Sequence, residues 1–354
     1  MKRIRYGIIG TGNTVGIAKN HIKGLKPCED MVLTAIYDID PAKSKAMYEE
    51  CGLEQVSICQ SRDELFSLVD AVGICLPNCL HVEAGIAALA AGKHILIEKP
   101  VSTDEKSLEP LLQAVKAKPD LVAMVCFNYR EFPIYRCLKE MIESGVLGEI
   151  YHCRLQLGGN RIADKHVGLE WRMNREYSGG GAISDFGCHL LDITQYLFEP
   201  VCGPIVELNA FTTTRIKERK DLKDGSLKPV TNDDCGVFIG KMANGTVLSY
   251  STSRIGIWNH SIEITAEGGM VYGDFNNDDV ITLWLKDKNG GYEQEDKQVL
   301  KVSGPNGHEG ILQNFADCIN RKTVNTRTVF YAGKIQSMID HMAKNKVWKR
   351  TDEL

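Results

Sequence analysis

The stretch IRYGIIGTGN, residues 4–13, decides the fold of the first part of the chain. Residues 4–10 are largely apolar, like a buried strand, and Gly10-Thr11-Gly12 closes this strand before a helical pattern over residues 14–25. A glycine turn lets the backbone approach a pyrophosphate closely, and the helix N-terminus presents N–H groups to the phosphate. The pattern therefore predicts a dinucleotide-binding turn. A simple strand-to-helix turn is the alternative, because Gly16 comes one residue later than the usual G-x-G-x-x-G spacing requires.

Further short apolar segments follow, and helical patterns separate most of them. The apolar segments cover residues 31–38, 56–59, 70–77, 93–100 and 121–127. The helical patterns cover residues 42–51, 79–91 and 104–117. Apolar strands that alternate with helices indicate a parallel sheet covered on both faces. We predict an α/β fold whose N-terminal part, residues 1–126, is a Rossmann domain with a doubly wound parallel sheet.

The pattern changes after Phe127. Residues 205–302 are mainly short strands joined by turn residues, which is typical of antiparallel pairing. Helical patterns and one long polar loop complete this part, with helices at about 131–144, 181–197, 308–321 and 330–345 and the loop over 158–178. We predict that residues 127–354 form a C-terminal α+β domain with a large, mostly antiparallel sheet.

Composition and charge exclude several functional classes. The chain has 354 residues and a net charge of −4, and its basic residues are not clustered, which argues against a nucleic-acid partner. No apolar segment reaches about 18 residues, so we expect no membrane span. We also expect no export signal and therefore a cytoplasmic protein. The 12 cysteines include no C-x-x-C pair, which favours buried thiols over disulfides or a metal site.

Asp38 ends the second predicted strand. A carboxylate at this point of a Rossmann domain accepts hydrogen bonds from the adenosine ribose hydroxyls. It also repels a 2′-phosphate, and Ile39 and Asp40 follow it instead of a basic residue. This favours NAD over NADP as the cofactor. A helix-capping or turn carboxylate is the alternative interpretation.

Two segments carry candidate catalytic side chains. Lys99 follows the fifth strand, where residues line the ligand crevice, and its ammonium suits stabilising negative charge on a substrate oxygen. In GGGAISDFGCHLLDI, residues 179–193, the spacing places Asp185, His189 and Asp192 on one helical face. A histidine with a nearby acid suits general acid–base catalysis. A surface lysine, and a helix with a satisfied histidine and two solvated acids, are the alternatives.

Zinc ligation by this segment is a weaker interpretation. Cys188 points about 100° away from His189 around a helix, so the two do not share a face. We therefore expect no metal.

These residues together resemble the Gfo/Idh/MocA family of oxidoreductases, which includes glucose–fructose oxidoreductase and inositol dehydrogenase. The resemblance covers nearly the whole chain. It rests on GIIGTGN (7–13), CLPNCLHVEAGIAALAAGKHILIEKP (75–100), FNYREFP (127–133) and GGGAISDFGCHLLDI (179–193), in that order.

The resemblance implies roles for individual residues. The cofactor-binding residues it implies are Gly10, Thr11, Gly12 and Asn13 at the pyrophosphate, Asp38 at the adenosine ribose, and Pro77, Asn78, His81 and Glu98 along the nicotinamide half. The implied catalytic trio is Lys99, Asp185 and His189, all of which also contact the substrate. By this analogy His189 takes the hydroxyl proton, Lys99 orients and polarises the substrate oxygen, and Asp185 positions substrate and base. Arg172 is a further candidate substrate contact, and Asn160, Arg161 and His166 are weaker ones.

The resemblance also implies an activity and an assembly. The activity is a reversible NAD(H)-dependent oxidation of a secondary alcohol in a sugar, inositol or related polyol. Two alternatives stay open: an NAD-dependent glycoside hydrolase or lyase that oxidises the sugar transiently, and a non-catalytic NAD-binding sugar sensor. The second domain binds substrate and oligomerises in this family, so a homodimer or homotetramer is expected.

Overall fold

The computed structural model describes residues 3–12, 16–276, 279–287, 291, 297–344 and 346–350. The chain divides into two compact units, and each is described by itself. The first contains residues 1–131 and 305–336, and the second contains residues 132–304 and 337–354. Residues 305–336 thus lie with the first unit, whereas the sequence analysis places everything after residue 126 in the second domain.

The first unit is built on a parallel sheet. Its described strands are β1 (Ile4–Ile9), β2 (Met31–Tyr37), β3 (Ser57–Ile58), β4 (Ala71–Ile74), β5 (His94–Ile97) and β6 (Ala123–Val125). They lie in the order β3-β2-β1-β4-β5-β6, and each pair is parallel. This is the order of a Rossmann sheet, so the predicted doubly wound fold is confirmed.

Helices and buried side chains complete the first unit. The helices are α1 (Ile17–Leu25), α2 (Pro41–Glu50), α3 (Arg62–Leu68), α4 (His81–Ala90), α5 (Glu105–Lys116) and α10 (Gly307–Ile319). Helix α3 is only 7 residues long, and no helix is predicted there from the sequence. Apolar residues of α10, among them Ile311 and Phe315, join the same core as Ile22 of α1 and Ile8 of β1. An amphipathic helix shows the same periodicity whichever sheet it covers, so sequence alone could not assign α10 to this unit.

The second unit contains a large mixed sheet. Its strands are β7 (Ile150–Gly158), β8 (Ile205–Thr213), β11 (Cys235–Met242), β12 (Val247–Ser253), β13 (Asn259–Ala266), β14 (Gly269–Asp274), β15 (Val280–Leu285), β16 (Gln298–Lys301) and β17 (Trp348–Lys349). Their order is β16-β15-β14-β13-β7-β12-β11-β8-β17. Within the described part of this sheet β7 and β12 are parallel and the other pairs are antiparallel, as predicted. A separate hairpin joins β9 (Glu218–Lys220) and β10 (Leu227–Pro229).

The helices of the second unit include α6 (Pro133–Glu143), the short α7 (Arg175–Ser178), α8 (Ala182–Asp185) and α9 (Gly187–Cys202). Helix α9 packs against both α6 and β7. The prediction of a single helix over residues 181–197 is wrong, because the helix is interrupted at Phe186, which lies between α8 and α9. The remaining helix, α11 (Val329–Ala343), contains the point at which the chain passes from the first unit into the second. Within the described ranges, every helix is too short or too polar to cross a membrane.

Candidate active site

The first glycine of the turn after β1 has a backbone conformation and a close contact that exclude a side chain. Gly10 has φ 95°, and a Cβ there would stand 2.7 Å from the backbone oxygen of Cys75. The following N–H, of Thr11, donates to Oδ2 of Asp38 at 2.9 Å. Gly12 has no such crowding, since its nearest neighbours would lie 3.8 Å or more from a Cβ. Asn13, the last residue predicted to hold the pyrophosphate, lies outside the described residues.

The backbone conformation at position 16 explains why a glycine stands there, one residue later than in the usual motif. Gly16 has φ 63° and is the N-cap residue of α1. Because this left-handed conformation strains residues that carry a Cβ, glycine is favoured here. The helix begins at Ile17, and Thr14, at which the sequence analysis starts it, lies outside the described residues.

Asp38 is nearly buried, with 8% of its surface exposed. Its Oδ2 accepts from Thr11, and its Oδ1 accepts from the backbone N–H of Asp40 at 3.1 Å. The N-cap residue of α2 is Asp40, which accepts from Ala42. Asp38 is therefore not the cap of that helix. It links the end of β2 to the glycine turn, and its contact with a ribose stays a prediction.

The segment after β4 contains three residues predicted to line the nicotinamide half. Asn78 is buried, and Pro77 is half-buried. His81 is fully buried, with Nε2 2.8 Å from the backbone oxygen of Leu76 and Nδ1 2.9 Å from that of Pro100. Burial lowers its pKa. Its imidazole thus joins the segments that follow β4 and β5, and direct cofactor contacts of these three residues stay predictions.

Glu98, at the end of β5, belongs to a buried polar cluster. Its Oε1 lies 2.8 Å from Nε2 of His21, whose Nδ1 lies 2.8 Å from the hydroxyl of Tyr6. Nε2 of His308 lies 3.9 Å from the same carboxylate oxygen. Burial alone would raise the pKa of Glu98, but the two imidazoles outweigh it and hold the pKa well below its ordinary value. Glu98 is therefore an ionised carboxylate inside the first unit.

This cluster also contains Cys126, and its ligand-type atoms lie within 4.8 Å of one another. We interpret it as a hydrogen-bonded network. Two ligands of one tetrahedral zinc ion stand about 3.3 Å apart at usual bond lengths. The 2.8 Å between His21 and Glu98 is shorter and fits a hydrogen bond.

Lys99 directly follows this cluster. Its backbone N–H donates to Oε2 of Glu98 at 3.3 Å, and its peptide bond to Pro100 is cis. The side chain is half-buried. Lys99 belongs to the first unit, while Asp185 and His189 belong to the second, so their meeting in one site stays a prediction.

Asp185 and His189 flank the break at Phe186. Asp185 ends α8 and is half-buried, and His189, in the first turn of α9, is 3% exposed. The backbone N–H of His189 donates to the oxygen of Phe186 at 3.1 Å. Asp192, predicted on the same face, is fully buried, so it is not a solvated acid. Cys188 donates its thiol to the backbone oxygen of Asp185 at 3.4 Å.

The other candidate substrate contacts, including Arg172, lie in the segment between β7 and α8. Asn160, Arg161 and His166 are exposed. Arg161 donates to Oε1 of Glu170 at 2.6 Å. Arg172 is half-buried, and its guanidinium lies 4.2 Å from the ring centre of Trp171. Their contacts with substrate stay predictions.

Buried polar residues that hold this loop were missed by the sequence analysis. Arg219 is 1% exposed and donates to the backbone oxygens of Ile162, Asp164 and Val167. Asp233, which is 3% exposed, was missed as well, and its carboxylate accepts from the backbone N–H groups of Gly181 and Ile183 at the start of α8. Both stand among polar residues, a composition that predicts exposed turns, so no local signal marked them.

Two family models match the chain. The model described as "Oxidoreductase family, NAD-binding Rossmann fold" matches residues 4–126. The model described as "GFO/IDH/MocA C-terminal domain" matches residues 135–272. These matches confirm the family resemblance and NAD as the cofactor of the first unit.

Two relatives illustrate the similarity in sequence. A levoglucosan dehydrogenase of Pseudarthrobacter phenanthrenivorans is 34% identical over 198 residues, which are 52% of this chain and 50% of that protein. The match thus spans about half the length of that relative. An uncharacterised oxidoreductase of Synechocystis sp. is 30% identical over 286 residues, 78% of this chain and 74% of that protein.

A solved structure shows the same fold over nearly the whole chain. The structure of a levoglucosan dehydrogenase in complex with NADH superimposes with a TM-score of 0.86. The match covers 98% of this chain and 99% of that chain, at 24% sequence identity.

Proposed function

The chain belongs to the GFO/IDH/MocA family of NAD-binding oxidoreductases, and on that premise we propose that it oxidises a secondary alcohol of a sugar, inositol or related polyol. The observation that carries the proposal is the presence of Lys99, Asp185 and His189 within the segments that the two family models match. The 34% identity to a levoglucosan dehydrogenase, whose name states a sugar substrate, supports the substrate class.

The residues of the glycine turn fit a dinucleotide. Gly10 allows the tight turn through its φ of 95°, and α1 begins after the turn at Ile17, so the start of a helix follows the glycines. Asp38 supplies a carboxylate at the end of β2, and its negative charge opposes a 2′-phosphate. When bound, NAD⁺ supplies the nicotinamide carbon that accepts hydride.

The protein's own residues would then transfer the proton and orient the substrate. In this proposal His189 accepts the hydroxyl proton of the substrate at an imidazole nitrogen. The ammonium of Lys99 donates a hydrogen bond to the same substrate oxygen and stabilises the negative charge that develops there. Asp185 orients the substrate against the imidazole.

The test is a screen of sugars, inositols and sugar acids with NAD⁺, read by NADH absorbance. With the substrate found, we expect Lys99→Ala and His189→Ala each to lower kcat by about 100-fold or more while NADH affinity changes less than about twofold. Lys93→Ala and His341→Ala remove a lysine and a histidine elsewhere and should keep full turnover. Retained turnover in either site variant would remove that residue from the mechanism, and an inactive wild-type enzyme across the screen would contradict the proposal. Substrate cleavage without net NADH would support the hydrolase or lyase alternative.

We further propose that the chain forms a homodimer or homotetramer through the outer face of the second unit's sheet. Large apolar side chains are exposed there on neighbouring strands: Phe211 at 73%, Ile239 at 60%, Val237 at 52% and Val247 at 50%. Val237 lies directly opposite Phe211 on the neighbouring strand, and exposed apolar side chains that adjoin are typical of a protein–protein interface. Light scattering after size exclusion tests this, since Ile239→Glu should yield monomers.

A cytoplasmic location is part of the same proposal. All twelve cysteines lie among the described residues and none forms a disulfide. Thiols that stay reduced are typical of a reducing compartment.

A further inference from the structure

Three consecutive polar residues just before β11 are almost completely buried. Asn232, Asp233 and Asp234 are 1%, 3% and 0% exposed. Burying polar groups costs free energy unless hydrogen bonds replace their contacts with water. The partners of these side chains therefore indicate what the segment does.

Asp233 binds the start of α8 with three acceptors. Its Oδ1 accepts the N–H of Gly181 at 2.7 Å, and its Oδ2 accepts the N–H of Ile183 at 2.9 Å. Its backbone oxygen accepts the N–H of Ala182 at 3.0 Å. The first N–H groups of a helix lack partners within the helix, so these bonds fix where the helix begins.

The contact is too close for any residue but glycine at position 181. A Cβ on Gly181 would stand 1.7 Å from the backbone oxygen of Asp233. The last glycine of the run at 179–181 is thus required by Asp233, independently of any ligand.

Backbone hydrogen bonds carry this fixed position to the candidate catalytic residues. The oxygen of Gly181 accepts the N–H of Asp185 at 2.9 Å, and the oxygen of Ala182 accepts the N–H of Phe186 at 3.0 Å. The oxygen of Phe186 in turn accepts the N–H of His189 at 3.1 Å. The oxygens of Gly181 and Phe186 each accept a second N–H, from Ser184 and Leu190, at 3.2 Å. Because these bonds link the start of α8 to α9, a shift at Gly181 is passed on to Asp185 and His189.

The same buried segment holds the loop that carries Arg172. Nδ2 of Asn232 donates to the backbone oxygen of Arg172 at 2.8 Å. Arg254, itself 6% exposed, donates to that oxygen and to the backbone oxygen of Asp233, each at 2.8 Å. The segment that carries Arg172 and the start of α8 therefore share one anchor.

We propose that Asp233 is a positioning residue that sets Asp185 and His189 in place for hydride transfer. This role rests on the proposed function. Asp233 is buried beneath the helix start and acts through backbone groups, so it is not assigned a contact with substrate or cofactor.

Asp233→Asn tests the proposal with little change in volume. An amide nitrogen cannot accept a hydrogen bond, so one of the two N–H groups loses its acceptor. We expect kcat to fall about 10- to 100-fold, since displacements near 1 Å cost rate on that scale. The KM for the sugar should change less than about threefold, NADH affinity should stay unchanged, and the deuterium isotope effect on the hydride step should rise.

Asp104→Asn is the matched control, because Asp104 caps α5 in the first unit by accepting the N–H of Ser107 at 2.8 Å. It should keep kcat within about twofold. Asp233→Ser also keeps one acceptor oxygen, and it places no amide N–H group against the backbone N–H groups of α8. Its kcat should fall on the same scale, and it serves as the test if the asparagine variant does not fold.

Hydrogen exchange separates this inference from the proposed function. In Asp233→Asn the amides of residues 181–189 should exchange faster than in wild type, whether or not a substrate is known. Unchanged exchange there, or a folded variant with wild-type kcat and isotope effect, would overturn the positioning role. A wild-type enzyme that oxidises no sugar, with faster exchange in the variant, would overturn the proposed function and leave Asp233 as the anchor of the helix start.

Discussion

The backbone N–H of Thr11 donates to Oδ2 of Asp38 at 2.9 Å, so the carboxylate that ends β2 also fixes the glycine turn that follows β1. Thr11 is fully buried, and Asp38 is 8% exposed. A substitution at Asp38 therefore acts in two ways. It removes the negative charge that opposes a 2′-phosphate, and it releases the turn that is proposed to hold the pyrophosphate.

Asp38→Ala should weaken NADH binding and reduce discrimination against NADPH. The loss for NADH should be about 10- to 100-fold, equivalent to about 1.4–2.8 kcal/mol, because hydrogen bonds to charged groups contribute about this much. NADPH should lose less, since the repulsion of its 2′-phosphate disappears. Fluorescence titration with both nucleotides measures the two affinities.

Asp40→Ala is the control for this prediction, because it removes a neighbouring carboxylate that caps α2. It should leave the NADH-to-NADPH ratio within about twofold. An unchanged ratio in Asp38→Ala as well would mean that Asp38 serves the turn alone.

Gly12 of the turn and Gly16 at the N-cap of α1 should respond differently to alanine. Gly16→Ala forces a Cβ into a backbone with φ 63° and should lower the free energy of unfolding by about 1–2 kcal/mol. Gly12→Ala meets only ordinary contacts, so stability should change by less than about 0.5 kcal/mol, while NADH affinity falls because the backbone must approach the pyrophosphate closely. Urea unfolding and NADH titration of both variants check this. Equal stability losses would contradict it.

Local sequence signals predicted the first unit well. Glycine at position 10 is needed for a positive φ, which is a local requirement that the sequence displays directly, although its close approach to Cys75 is not local. The alternation of apolar strands and helices likewise indicated the parallel sheet. In the second unit, short strands with turn residues indicated the mostly antiparallel sheet.

Features that depend on distant partners could not be predicted. The apolar periodicity continues through Phe186, so nothing local marked the break between α8 and α9. Asp233 looked like a residue of a polar turn, because its burial comes from α8, about fifty residues earlier in the chain. The buried partners of Glu98 are equally distant, since His21 and His308 lie on α1 and α10. Tertiary contacts decided the burial of both Asp233 and Glu98.

Glu98→Gln should destabilise the first unit. The carboxylate is buried and ionised beside His21 and His308, and an amide removes the charge that both imidazoles face. We expect the free energy of unfolding near neutral pH to fall by about 1.5–3 kcal/mol, the range for hydrogen bonds to charged groups. Glu83→Gln removes an exposed carboxylate, which pairs with Arg62 at 2.6 Å, and should cost no more than about 1 kcal/mol. Equal costs in urea unfolding would show that the buried cluster adds no stability.

His260 should make the second unit sensitive to acid. Burial lowers the pKa of His260 to about 3, so the folded protein keeps this ring neutral. Its ring stacks on Phe275 with centres 3.8 Å apart, and Nε2 lies 2.8 Å from the hydroxyl of Tyr135. The unfolded chain takes up a proton below about pH 6.5, so this contribution is present above that pH and is lost as the pH falls towards 3.

His260→Phe preserves the stacking and removes the titrating group. Near neutral pH it should cost about 1 kcal/mol, because the hydroxyl of Tyr135 loses its bond to the ring. Between about pH 7 and about pH 5 the wild type should lose about 2 kcal/mol more stability than the variant. His166→Phe, at an exposed histidine, should keep the wild-type pH dependence. If urea unfolding gives all three proteins the same pH dependence, His260 takes up its proton in the folded state, and the neutral buried imidazole is refuted.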